Sequence, residues 1–460
     1  MISVLLLGLL FTASAYLTVT QASTRAFVWV FLPSTLLLLL IPPLNVPLLP
    51  DIDQGAACMY GVLVGLLIKG GERWGLRWTV IDTLMIALAA TQVVTAVSTE
   101  KLWTGVSATG SLTLSWVLPY LLARVTFHDA VARRQALYVG ATTMIAVGLI
   151  ALVEMRLAPF AYSRLLEPLG IVSAQNTFVY HRFGLFRPQV GFQHPIDLGN
   201  AGVLMAAMLT LFAVTTGTRL TQPRVALGIA ASLGLAAASL SFTSYAGLGA
   251  AMTAFAVLYY FPWTRQLIVP TILLAVLGVV LFTARLLAID LERFEVEGGT
   301  FAASLWIRTL IVQNSWEFAR DAGLFGFGKT IGQRDLDLAS VDNSYMLFIL
   351  RYGWLFLLGW ISMVVLMGAR AAQALSVARG DHERLPVIAA VAGICGTLAA
   401  MYTVWFGFAY STLFIVLVGL GVSMFDVLRA RLAPAVIGRP LPSRGPAMPL
   451  VRRPVGGLAR

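Results

Sequence analysis

Residues 344–369 read SYMLFILRYGWLFLLGWISMVVLMGA, a run of 26 residues in which a single charge, Arg351, interrupts an otherwise apolar surface. At about 1.5 Å of rise per residue such a run is long enough to cross a hydrocarbon layer of about 30 Å. Nothing in it alternates as a half-buried strand would. Its apolar residues occupy every helical face, which suits lipid or a bundle interior rather than one amphipathic side. The fold therefore depends on whether this run stands alone.

It does not. Apolar stretches of comparable length fall near 3–19, 26–47, 55–69, 78–97, 102–123, 136–155, 196–215, 224–241, 243–260, 266–289, 385–406 and 408–428. With the first run they make 13 expected spans. The whole chain is 58% hydrophobic and 12% charged, against about 25% charged in soluble domains. An all-α, polytopic transmembrane helical bundle over residues 1–428, with about 12–13 spans, is the expected fold. The first stretch contains Ala13-Ser14-Ala15, a cleavage-like triplet, but it lacks a basic leader region, so it is read as a retained span.

The net charge of +11 invites a nucleic-acid reading, yet the basic residues sit between apolar runs rather than on one soluble face. Their order fits membrane topology better. With the N-terminus outside, the inner loops collect Arg25, Lys69, Arg73, Arg77, Arg124, Arg133, Arg134, Arg219, Arg224, Arg265, Arg370, Arg379 and Arg384, while the short outer loops hold only Lys101. The tail, 429–460, adds seven Arg and six Pro with no acid, a composition that predicts a disordered cytoplasmic segment near anionic lipid. Cys58 and Cys395 both lie in apolar runs and read as small buried residues rather than a disulfide. Asp82 is the main charge expected well inside an early span.

Two segments, 156–195 and 290–343, break the short-loop pattern on the outer side. Long connections that carry aromatics, Arg, His and Gly are expected to be ordered and functional. The first ends in Tyr180-His181-Arg182-Phe183-Gly184-Leu185-Phe186-Arg187-Pro188-Gln189-Val190-Gly191-Phe192-Gln193-His194-Pro195. Guanidinium forks beside apolar helices suit a lipid-linked phosphate. They would equally rest on anionic headgroups, and His194 before Pro195 would equally cap the next helix. The second segment holds Trp306, Arg308, Gln313, Glu317 and Arg320; Glu317 and Arg320 are spaced to pair on one helix face. Asp342-Asn343 then opens the run quoted above, with Asp342 the expected N-cap. Arg351 lies about two and a half turns further in, where an arginine is expected to face a polar cavity.

Gly323-Leu-Phe-Gly-Phe-Gly328-Lys329-Thr330 fits the phosphate-loop pattern, but no buried strand or α/β domain surrounds it, so nucleotide binding is not expected. Metal-ligand spacings of the C-x-x-C and H-E-x-x-H kinds are missing from the sequence.

Three elements in this order resemble the O-antigen polymerase and O-antigen ligase family of bacterial membrane glycosyltransferases. They are Arg187-Pro-Gln-Val-Gly-Phe-Gln-His194-Pro195 at the head of a span, Arg308 followed by the Gly323–Gly328 loop, and Asp342-Asn343 with Gly353 further along the same run. The resemblance spans roughly residues 180–360. It implies an inner-membrane enzyme whose site faces the periplasm and which transfers a saccharide from undecaprenyl pyrophosphate without metal or other cofactor. Catalytic roles would fall to Arg187, Arg308 and Asp342, and substrate contacts to Arg182, His181, His194, Arg320, Asn343 and Arg351. The acceptor would be another lipid-linked repeat unit in a polymerase, or lipid A core in a ligase, with a chain-length regulator as a further partner. Many ligases carry His at the position of Asp342; the carboxylate here favours polymerase over ligase. A lipid-linked saccharide transporter is the alternative from a different class.

Overall fold

The computed structural model describes residues 2–37, 41–44, 50–99, 102–157, 159–169, 181–289, 300–328, 343–402 and 408–430. Asp342, Lys329-Thr330 and the tail from 431 onward lie outside the described residues. The helices are α1 (Ile2–Thr20), α2 (23–37), α3 (Gln54–Lys69), α4 (Val80–Thr99), α5 (Leu102–His128), α6 (Ala130–Arg156), α7 (Pro195–Thr215), α8 (Pro223–Ala238), α9 (Phe242–Tyr260), α10 (Ile268–Leu287), α11 (Thr300–Asp321), α12 (Ser344–Val377), α13 (Asp381–Met401) and α14 (Phe408–Arg429). A two-residue hairpin, β1 (His181–Arg182) with β2 (Leu185–Phe186), is the only sheet among the described residues.

The chain is a multi-pass helical bundle. Nine helices in the described residues are long and apolar enough to cross a membrane, and α3 and α8 are shorter apolar helices. Eleven of the expected apolar stretches contain one of these elements, and the other two, 26–47 and 266–289, contain α2 and α10. α11 is the addition: it lies in the 290–343 segment, where the mixed sequence hid a 22-residue helix.

Helix registers show how the chain alternates. Gly61 and Gly65 of α3 press on Phe11, Ala15 and Thr18 of α1, so these two run parallel, with α2 between them in sequence. Gly228 meets Ala141 and Gly148 meets Ala231, so α6 and α8 are likewise parallel. Gly199 meets Ser239 while Gly202 meets Ser232, so α7 and α8 are antiparallel. Small residues let these backbones approach closely, which is how helices gain van der Waals energy where lipid removes the hydrophobic drive. Gly247 of α9 and Gly396 of α13 do the same: a Cβ on Gly396 would stand 2.7 Å from the Gly247 carbonyl. α7 and α14 are mostly enclosed, and α1 and α9 are peripheral.

One end of the bundle carries the hairpin and the heads of α7 and α12. The other end is clamped by Arg124. This residue was expected in a loop, but it is 1% exposed in α5. Its guanidinium pairs with Asp82 of α4 and with Asp426 of α14 at 3.2 Å, and it donates to Ser423 Oγ (3.3 Å) and the Arg77 carbonyl (3.1 Å). Asp82 also accepts from Tyr120 Oη (2.7 Å) and from the backbone and hydroxyl of Thr79 (2.6 and 2.7 Å). Asp82 is thus a first-turn residue of α4, not a charge deep in the span. Both Asp82 oxygens have two donors each, which is what makes a buried ion group tolerable.

Removing one partner from such a group costs about 3–5 kcal/mol, because the others stay buried and uncompensated. Arg124→Leu is therefore expected to abolish most folded protein, and Arg124→Leu with Asp82→Asn to recover part of it. Monodisperse yield and thermal midpoint in detergent measure both.

Candidate functional site

The hairpin end is built on a buried carboxylate that sequence reasoning passed over. Glu154, 1% exposed near the end of α6, accepts backbone N–H groups from Gln189 (2.8 Å) and Val190 (2.9 Å) on one oxygen and from Tyr162 (3.2 Å) on the other. The three amides replace a counter-ion. Val190 (φ 44°) and Gly191 (φ 89°) turn the backbone through the left-handed region so that successive N–H groups point at this carboxylate. The segment 187–191 is consequently fastened to the bundle rather than loose on it.

That fastening positions Arg182 and Arg187. Arg187 Nε donates to the Ser239 carbonyl at 2.8 Å, and Arg182 donates to the Leu240 carbonyl at 2.7 Å. Both acceptors lie where α8 ends, with Leu240 at φ 47° making the turn into α9. Two guanidinium groups therefore meet the negative end of one helix dipole. The structure brings these two expected site residues together, and their first contacts are with protein carbonyls. His181 is exposed, its ring against Phe186 with centroids 4.4 Å apart.

His194 caps α7: its Nδ1 accepts from the Ile196 N–H at 3.2 Å, and Pro195 takes the first helical position. Burial, reinforced by the nearby Arg187 charge, lowers its pKa from the ordinary 6.5 to about 4. The imidazole is thus neutral near pH 7 and offers a dipole, not a cation. α12 is opened by Asn343 rather than by the expected cap, Asp342. The Asn343 Oδ1 accepts from the Tyr345 (3.0 Å) and Met346 (3.2 Å) amides.

The glycine-rich loop and the break in α12 explain each other. Gly353 has φ 80° and ψ 177°, so α12 is two helices meeting at a kink. The loop 323–327 is wedged into that kink. Phe327 N–H donates to the Leu350 carbonyl (2.7 Å), and the Trp354 and Leu355 N–H groups donate to the Gly323 and Leu324 carbonyls (both 3.2 Å). A Cβ on Gly326 would stand 2.6 Å from the Gly353 nitrogen. Thr95 of α4 donates to the Phe325 carbonyl at 2.6 Å and pins the wedge from the other side. Backbone groups freed by a broken membrane helix are re-satisfied by protein, as an apolar setting demands. Arg351 sits at this break, half-buried, with its guanidinium close to the Tyr352 hydroxyl. Arg320 is well exposed and pairs with Asp321 (3.7 Å), not with the expected Glu317. Arg308 lies in α11, and its side chain, like Asp342, is outside the described residues.

The heads of α7, α12 and α14 converge on α13. Tyr345 Oη donates to the Leu398 carbonyl (2.9 Å) and Tyr410 Oη to the adjacent Thr397 carbonyl (3.4 Å). Tyr410 also lies within electrostatic range of Tyr345 and of Asp197, in the first turn of α7. Arg187, His194, Asp197, Asn343 and Tyr345 thus belong to elements that meet at one end of the bundle. Asp197 was missed because it sits within a few residues of a more conspicuous motif, and Glu154 because it falls at the end of an apolar stretch.

Among the described residues no group of three or more His, Cys, Asp or Glu is arranged to hold a metal ion. No protein-family model matches the chain, and no curated protein matches it.

Two outcomes follow. Glu154→Ala removes three acceptor contacts, so the Gln189 and Val190 amides should exchange at least tenfold faster, measured by hydrogen–deuterium exchange. The folded pKa of His194 is depressed, so the unfolded chain binds the extra proton between pH 6.5 and about 4. The stability this cap contributes is therefore full above pH 6.5 and lost as pH falls through that window. His194→Asn keeps a capping oxygen without the proton site and should flatten this acid slope in a thermal-midpoint titration.

Proposed function

We propose that this protein transfers saccharide units from undecaprenyl pyrophosphate at the outer face of a bacterial inner membrane, as an O-antigen or exopolysaccharide polymerase. The observation that carries the reading is the gathering of the Arg187–His194 segment and the head of α12 at one end of the bundle, the end opposite the Arg124 clamp. Arginine side chains beside apolar helices suit a pyrophosphate whose lipid tail lies between those helices. In this reading Arg187 and Arg308 hold the diphosphate, assisted by Arg182 and Arg351, and offset the charge that develops on the leaving group. Asp342 orients the acceptor hydroxyl. His194, held neutral, lends a dipole to the same end without adding repulsion to Arg187.

The alternation of helices along the chain places the Arg25, Lys69, Arg133 and Arg224 loops opposite the hairpin end. Under the positive-inside rule this supports a periplasmic hairpin end. The glycine loop supports the reading by its position: it is a structural wedge in α12, which accounts for Gly323, Gly326 and Gly353 without a nucleotide.

A ligase that delivers the glycan to lipid A core would use the same donor grip. A transporter is the second reading, favoured by the broken helix α12, because discontinuous helices commonly line transport sites. Purified protein given lipid-linked donor separates them: new glycosidic bonds mark an enzyme, and vectorial movement alone marks a transporter. For the roles, polymer length distributions should be compared at matched membrane abundance. Arg187→Ala and Arg308→Ala are expected to shorten or abolish the ladder, with Asp342→Asn reducing it at least tenfold. Wild-type ladders from all three would end the proposal.

A further inference from the structure

Among the described residues, Asp82, Asp426, Glu154 and Asp197 are carboxylates near the ends of membrane helices, and the first three are accounted for. Asp82 and Asp426 hold Arg124, and Glu154 collects three backbone amides. Asp197 is different. It points from the first turn of α7, half-buried, and no described donor reaches it. One turn deeper on the same side of α7 is Asn200, 2% exposed, whose Oδ1 and Nδ2 both lack a hydrogen-bond partner. Asn200 Oδ1 lies against Gly247, which itself packs on Gly396 and Ala400 of α13. The carbonyls of Thr397 and Leu398, on that same stretch of α13, receive Tyr410 and Tyr345. An amide with both atoms unpaired in a bundle interior costs free energy unless something occupies the site. An ionisable group in a membrane span without a partner is retained for function rather than for stability. No side-chain hydrogen bond or ion pair of either residue is among the fold contacts described above.

We infer that Asp197, with Asn200 beneath it, is the acceptor-side catalytic carboxylate: it takes the proton from the attacking sugar hydroxyl. The inference rests on the glycosyl-transfer reading and adds a residue to it. The acceptor oxygen attacks the anomeric carbon of the donor sugar and gives its proton to the Asp197 carboxylate. The bond from that carbon to the pyrophosphate oxygen breaks, its electron pair leaving with the lipid pyrophosphate. Asp197 then returns its proton to water. Asn200 can both donate to and accept from a hydroxyl or water beside the carboxylate, which keeps that oxygen aligned. Tyr410 and Tyr345, committed to α13 carbonyls, wall the site rather than compete for the proton. His194 caps the helix that carries Asp197, so the base is held one turn from the Arg187 segment on which the donor would rest.

The test uses the full-length protein in nanodiscs with two measurements: affinity for undecaprenyl pyrophosphate, and the transfer rate from lipid-linked saccharide extracted from the native cell. A positioned general base contributes about 100-fold or more to rate. Asp197→Asn should therefore bind undecaprenyl pyrophosphate within twofold of wild type while transfer falls at least 100-fold. Asn200→Ala should lower transfer about tenfold at unchanged affinity. A transfer rate for Asp197→Asn within threefold of wild type would overturn the inference. So would a parallel loss of lipid affinity, since that makes Asp197 part of the donor grip or the fold. Should Asp197→Asn fail to accumulate, Asp197→Glu takes its place: a base displaced by one methylene must slow transfer at wild-type affinity, and an unchanged rate overturns the proposal. No transfer by the wild-type protein, given an intact donor, would instead remove the glycosyl-transfer reading itself.

Discussion

In an apolar solvent every charge must be answered within the protein, and Arg124 shows how completely this is done. One guanidinium holds α4, α5 and α14 together through two carboxylates, a hydroxyl and a carbonyl. Two consecutive helices and one far along the chain thereby acquire a fixed register at one end. The small-residue contacts of α7, α8, α9 and α13 then set their spacing. With that end locked, the opposite end is free to carry irregular backbone. The hairpin, the glycine wedge and the half-buried Asp197 all occur there.

The same rule shapes the candidate site. Glu154 is answered by backbone amides, so the segment after β2 becomes a rigid extension of α6 rather than a loop. Arg182 and Arg187 are answered by carbonyls at the end of α8, which fixes their stems and their distance from His194. Asp197 and Asn200 stand out because the rule fails for them among the described residues. Several buried side chains have one unpaired atom, but among the described residues only Asn200 has both amide atoms unpaired, and a ligand beside Asp197 would supply what the protein withholds.

Hydropathy located the spans well, because the cost of exposing polar groups to lipid leaves little choice of residue along a crossing helix. It located α11 poorly. Trp306, Arg308, Gln313 and Glu317 alternate polar and apolar character, and the helix earns its place by packing Ile311, Val312 and Ala319 against the first half of α12. Arg124 looked like a loop residue because its partners lie 42 and 302 positions away. The break at Gly353 lies within a run whose one charge is Arg351, and hydropathy reads that run as continuous; its docking against Gly326 reveals the break. The motifs around Arg187 and the glycine loop were visible as residue types, but whether they gripped ligand or backbone depended on neighbours that local sequence cannot specify. Asn343 illustrates the point at the smallest scale: Asp342 and Asn343 are both good capping residues by type, and the Asn343 side chain is the one seen accepting the first amides of α12.

The kink at Gly353 also divides α12 mechanically. A continuous helix behaves as a rod, carrying any push along its axis from one membrane surface to the other. Here the rod is cut: the upper piece, 344–352, has its Leu350 carbonyl tied to Phe327, and the lower piece begins with amides tied to Gly323 and Leu324. Displacement of the upper piece is therefore handed sideways to the loop and to α11 instead of downward. The head of α12 thus meets the rest of the bundle through the wedge and Thr95 of α4 rather than along its own axis.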